Sequence, residues 1–212
     1  MTGKPIWIPM GDFRLEGELH IPDGNSVLPS AVIAHPHPQF GGDMHNNVVE
    51  GVYAGLSDRG RAVLRFNLRG VGRSGGLSGN GEAEDLEAAV DFLAQAIGDS
   101  PRDVAVVGYS YGAVVANAAM GSGPSFRALV AIAPPLAFSN FSALESCGLP
   151  VYAICGDRDE FCDPAAVEAL IDRCPSPRGL AIVPGADHFF GGDEAAVAAQ
   201  VELFLGEVAR TQ

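Results

Sequence analysis

Residues 103–118 read DVAVVGYSYGAVVANA, and this stretch decides the architecture. Val104 to Val107 is a short apolar run, the pattern of a strand buried on both faces. Gly108-Tyr109-Ser110-Tyr111-Gly112 follows, and small residues (Ala113, Val114, Val115, Ala116, Ala118) then continue in a helical pattern. A serine at such a strand-to-helix junction sits on a sharp, strained turn. Glycine on either side removes side chains that would collide where strand and helix cross. The motif alone is weak, because Gly72-Arg73-Ser74-Gly75-Gly76 matches it too. That second match runs on into Leu77-Ser78-Gly79-Asn80-Gly81, which is loop composition, so Ser74 reads as loop and Ser110 as the candidate nucleophile.

Outward from this stretch the same alternation recurs. Residues 14–21 alternate, with Leu15, Gly17, Leu19 and Ile21 on one face. Short apolar runs at 30–35 (SAVIAH), 62–66 (AVLRF), 128–133 (ALVAIA), 151–156 and 179–183 predict strands buried on both faces. Helical spacing fills 46–59, 82–97, 164–174 and 193–209, with Asp163 as an N-cap and Pro164 in the first turn. The expected fold is α/β, a mostly parallel doubly wound sheet with helices on both faces. Chemistry in such sheets gathers at the carboxyl ends of strands, here after Ala34, Asn67, Gly108, Ala133, Gly156 and Val183. Gly70-x-Gly72-x-x-Gly75 mimics a dinucleotide fingerprint, but loop residues follow where a helix should start.

Composition narrows the function. The 212 residues predict a single domain over 1–212. The formal net charge of −13 disfavours nucleic acid and anionic membrane as partners. No apolar run approaches the roughly 18 residues of a membrane span, and residues 1–13 lack the signal-peptide pattern, so a cytoplasmic location is expected. Cys147, Cys155, Cys162 and Cys174 form no C-x-x-C pair and read as reduced structural thiols. The acids within 82–91 and 193–207 read as solvated helix faces; only those within 157–163 lie near the expected chemistry.

A serine nucleophile needs a base, and on this sheet type the order is Ser, then Asp or Glu, then His. His188 is the only histidine after Ser110, and it follows the run ending at Val183. The acid should follow Gly156, where Asp157, Asp159, Glu160 and Asp163 compete; Asp159 leaves the chain room to turn its carboxylate toward the sheet top, and Asp157 is its rival. An oxyanion needs backbone N–H donors. Tyr111, directly after the serine, supplies one; the other should come from His35-Pro36-His37-Pro38-Gln39-Phe40, with His37 first and Gln39 and Phe40 behind it. His35, His37, Asp43 and His45 could be read as a metal cluster, but no matching ligand motif follows, so neither metal nor cofactor is expected.

Four segments are distinctive: HPHPQFGGDM at 35–44, RFNLRGVGRSG at 65–75, GYSYG at 108–112 and GADHFF at 185–190. Together they resemble the α/β-hydrolase superfamily, and more closely its small dienelactone-hydrolase-like bacterial subgroup. The resemblance implies a serine hydrolase with Ser110, Asp159 and His188 as its triad, Asp159 matching the second Asp of the family's G-D-x-D segment. Dienelactone hydrolase itself has Cys where Ser110 stands, so its own activity does not carry over. Residues 134–150, where many relatives insert a cap, are too few for one. The expectation is an open groove lined by Gln39, Phe40, Tyr109, Leu136, Phe138 and Phe189 beside Tyr111, taking a small-molecule ester or related acyl substrate. A thioesterase, peptidase or acyltransferase with the same triad, or a non-catalytic interaction domain on this fold, are the alternatives. Oligomeric state, a homodimer included, stays open.

Overall fold

The structure, a computed structural model, describes residues 3–24, 28–123, 125–174 and 178–210. The strands are β1 (Lys4–Pro9), β2 (Arg14–His20), β3 (Ala31–Ala34), β4 (Val63–Phe66), β5 (Ala105–Tyr109), β6 (Ala128–Ile132), β7 (Val151–Gly156) and β8 (Arg178–Val183). The helices are α1 (Asn47–Ser57) after β3, α2 (Glu82–Ile97) after β4, α3 (Tyr111–Ala119) after β5, α4 (Pro164–Arg173) after β7 and α5 (Glu194–Arg210) after β8. The strands form one sheet in the order β1-β2-β4-β3-β5-β6-β7-β8. Its β1/β2 and β2/β4 pairs are antiparallel and every other pair is parallel.

This order places the chemistry. From β3 the chain steps outward to β4, then returns past β3 to β5. With right-handed crossovers, that reversal puts α1 on one face and α2 and α3 on the other. It also parts the loops after β3 and β5 and leaves a crevice at their carboxyl ends. Helices on both faces explain why every residue of β3, β5 and β6 is buried. Asp163 caps α4 as expected, accepting from Ala165 N–H ahead of Pro164, and Asn46, read as the first helical residue, instead caps α1 by accepting from Val48 N–H.

Two expectations need correction, and one strand lies outside the runs read above. β8 is an edge strand and largely half-exposed, because nothing among the described residues pairs with its outer side. β1 lies outside the runs read from the sequence: its apolar run Ile6-Trp7-Ile8 is short and flanked by Pro5 and Pro9, which are tolerated there because it is the opposite edge. The acidic helix faces are not wholly solvated. Glu82 and Asp85 are buried, and Asp85 accepts from the Arg69 backbone N–H (2.8 Å), Nε (2.9 Å) and Nη2 (2.7 Å). Burial pushes the Asp85 carboxyl up against the opposing pull of these bonds. Glu202 of α5 likewise receives the fully buried Arg61 guanidinium through two bonds of 2.6 and 2.8 Å. Ser74 is a loop residue, as expected: its hydroxyl donates to Asn67 O (2.7 Å) and accepts from Glu16 N–H (2.9 Å), pinning the loop to β2.

His35, fully buried at the end of β3, joins the two halves of the sheet top. Its Nδ1 meets the Pro36 carbonyl at 2.6 Å, and a carbonyl only accepts, so Nδ1 carries the proton. Nε2 then accepts from Leu68 N–H at 3.1 Å, in the loop after β4. Burial holds the imidazole below its ordinary value, so it stays neutral.

Replacing Asp85 with Ala leaves the Arg69 guanidinium only the Asn80 carbonyl and the exposed Glu84, and should lower the free energy of unfolding by about 3 kcal/mol, read from urea denaturation. His35 predicts a pH effect. As pH falls, the unfolded chain takes up the imidazole proton before the folded one does. This part of the stability is therefore complete above about pH 6.5 and is lost progressively below it. His35→Gln, which cannot take up the proton, should flatten that limb of a stability-versus-pH curve relative to wild type.

Candidate active site

Ser110 stands between β5 and α3 with φ 50° and ψ −110°, a conformation strained for any residue with a Cβ. Two glycines make this turn possible. A Cβ on Gly108 would lie 2.6 Å from Ala113 N, and one on Gly112 would run into the Ala34 carbonyl at the end of β3. The first lets α3 fold back over β5, and the second lets its start pass over β3. The result holds the Ser110 side chain at the crevice, buried except for its approach from the sheet top.

The loop after β8 brings His188 to it. His188 Nε2 lies 3.0 Å from Ser110 Oγ, and Nδ1 lies 2.8 Å from Asp159 Oδ2. An ionised carboxylate only accepts, so Nδ1 carries the proton and Nε2 is free to accept from the serine hydroxyl. Asp159 is fixed in turn: its Oδ1 accepts from Phe161 N–H (2.8 Å) and Cys162 N–H (3.0 Å). The rival Asp157 is engaged elsewhere, its Oδ1 accepting from Gly185 N–H at 2.7 Å as a loop cap. Among the four acids after Gly156, the geometry thus brings Asp159 to the imidazole.

On the other side of the serine, Tyr111 N–H is at the free start of α3. In the loop after β3, Gln39 N–H donates to His37 Nδ1 (3.2 Å), and Phe40 N–H and Gly42 N–H donate to the His37 carbonyl (3.0 and 3.1 Å). These bonds occupy the competing donors, and the His37 ring lies 4.6 Å from the ring of Tyr111. The residues once weighed as a metal cluster are engaged in turns: His35 through both ring nitrogens, His37 through Nδ1, and Asp43 Oδ1 by His45 N–H at 2.7 Å.

Of the expected lining residues, Phe40, Phe138 and Phe189 are 87%, 74% and 60% exposed, Gln39 is exposed and Leu136 is half-buried. Tyr109 needs correction. It is only 2% exposed and lies beneath the His188 loop, because the strand alternation that presents Ser110 to the crevice turns its neighbour inward. Phe161 was missed. Its ring meets His188 edge-on at 5.0 Å and Phe138 at 5.7 Å, so Phe138, Phe161, His188 and Phe189 form an aromatic row beside the serine. The signal was present: a residue two positions after a carboxylate that caps its own loop must stay close to whatever that carboxylate holds.

The chain matches the family described as alpha/beta hydrolase fold over residues 37–149. An uncharacterized protein of Rickettsia prowazekii is 36% identical over 172 residues, 76% of this chain and 72% of that one. Among solved structures, an α/β serine hydrolase homologue from Coxiella burnetii superposes with a TM-score of 0.82 at 30% identity, covering 98% of each chain. A Xanthomonas campestris α/β serine hydrolase described as without lid gives 0.82 at 28% identity, covering 97% of this chain and 94% of that one. With the topology and the crevice these place the fold beyond doubt, and the chain belongs to the α/β-hydrolase fold family of hydrolases.

Proposed function

We propose that this hydrolase is a serine esterase acting on small carboxylic esters, or related acyl substrates, through an acyl-enzyme. The observation that carries the reading is the hydrogen-bonded line Ser110–His188–Asp159, with spacings of 3.0 and 2.8 Å, on a strained elbow. Ser110 Oγ attacks the acyl carbon as its proton passes to His188 Nε2. Asp159 keeps the imidazole in the required tautomer and stabilises the imidazolium. The oxygen that becomes negative is received by Tyr111 N–H and His37 N–H. Collapse of the tetrahedral species expels the alcohol, which takes the proton from His188; water, activated by the same imidazole, then releases the acid. No step calls for a cofactor.

The groove supports small or extended substrates. Between β6 and β7 the ordered structure is a single 3₁₀ turn, Ser142–Glu145, and no cap is built there. An acyl or alcohol group would lie along Phe40, Phe138, Phe161 and Phe189, in contact with water on its outer side. We read the chain as one catalytic domain that works in the cytoplasm: the four cysteines are free, as a reducing compartment would keep them. Among the described residues no helix is long and apolar enough to cross a membrane.

A fluorophosphonate probe should label the wild type and leave Ser110→Ala unlabelled. The same substitution should lower kcat by a factor on the order of 10⁶. A wild type that resists the probe removes the serine nucleophile from the reading. Turnover compared across matched esters, thioesters and amides, over a range of acyl lengths, should favour short esters; amide or thioester preference would reassign the acyl chemistry.

A further inference from the structure

The base arrives from a weak place. β8 lies three strands from β5, roughly 14 Å across the sheet, and is the half-exposed edge. The loop after it must therefore be held on the far side of β7 and β6 by contacts of its own. Several are present. Gly185 N–H donates to Asp157 (2.7 Å), Arg158 N–H to the Ala186 carbonyl (3.0 Å), and Asn47 Nδ2 to the Phe189 carbonyl (3.1 Å). Phe190, fully buried with φ 51°, anchors the end of the loop and packs against the Tyr109 ring at 6.4 Å.

The peptide of His188 itself is held by a different group. The Tyr109 hydroxyl donates to the His188 carbonyl at 2.8 Å, in a buried setting. Tyr109 is bonded covalently to Ser110, so a single side chain links the nucleophile's own backbone to the backbone of its base. The other loop bonds fix the segment to β7 and α1; this one measures it against Ser110. Burial, with the Asp159 and Asp187 carboxylates nearby, pushes the Tyr109 phenol above its usual range, so the hydroxyl remains a donor at all working pH.

We propose that Tyr109 is a positioning residue, whose hydroxyl sets the spacing between His188 Nε2 and Ser110 Oγ and thereby the rate of acyl transfer. The inference rests on the serine-hydrolase reading above. A bond that only filled a buried carbonyl's need for a donor would affect stability; a bond that sets the reacting geometry affects kcat, since small displacements of a general base are costly in rate.

Tyr109→Phe keeps the ring and its packing on Phe190 and removes only the hydroxyl. It should lower kcat, and the rate of fluorophosphonate labelling in step with it, by about tenfold or more. KM should stay within about twofold and thermal unfolding within a few degrees of wild type. Installing 4-aminophenylalanine at position 109 returns a donor to the same place and should recover most of the rate. Asn47→Ala, which cuts the tether one residue further along, should lower kcat by no more than about twofold, clearly less than Tyr109→Phe. Wild-type kcat in Tyr109→Phe, an effect on KM alone, loss of the fold, or no recovery with the amino analogue would each overturn the assignment. So would an equal loss in Asn47→Ala, which would mean that general loosening of the loop is responsible. A wild type that ignores the probe overturns the serine reading and this inference with it; a reactive wild type with an unaffected Tyr109→Phe overturns the inference alone.

Discussion

The rest of the site depends on how closely the start of α3 passes over the end of β3. Gly112 makes the passage possible, since any side chain there would meet the Ala34 carbonyl. Because the helix starts where it does, Tyr111 N–H lies beside the His37 loop and Ser110 is forced into its strained turn. The crevice at the sheet's reversal supplies the space, and the glycine brings its two walls to within reach of one small atom group. Everything that comes later in the chain has to be carried to that point.

Two loops do the carrying, and they are built differently. Asp159 is held by its own segment, the carboxylate capping the N–H groups of Phe161 and Cys162, so its position is set within a few residues. His188 is held from outside, by Asp157, Asn47, Tyr109 and the buried Phe190, because its parent strand lies at the edge. A local cap resists distortion on its own. A loop secured by distant partners inherits the order of each of them.

The fold was legible where patterns are local and repetitive. The runs that become β3, β5, β6 and β7 are buried on both faces and could only be strands of a covered parallel sheet, and the position of Ser110 followed from the junction of two such patterns. His188 was legible from order along the chain alone; order left four acids after Gly156, from which spacing and the family's G-D-x-D segment favoured Asp159. What stayed hidden is long-range. β1 has only the three apolar residues Ile6-Trp7-Ile8 between prolines, and its pairing with β2 is what makes it a strand. Asp85 looks like one more surface acid until Arg69, far away in sequence, is folded onto it. Tyr109 seems a groove residue because it flanks the serine, yet strand alternation turns adjacent side chains to opposite faces. Its neighbour across the fold, the His188 carbonyl, has no signature in sequence.

The rim of exposed phenylalanines has a consequence for how such an enzyme changes over time. Phe40 and Phe138 stand on connections whose backbones take no part in the line from Ser110 to Asp159, and both side chains face solvent. Substitutions of these two side chains remove no hydrogen bond of that line and no buried apolar surface. In the groove proposed above, substrate preference can therefore drift by mutation at little risk to folding. A scaffold of this kind is suited to yield relatives that share one mechanism and differ in what they accept.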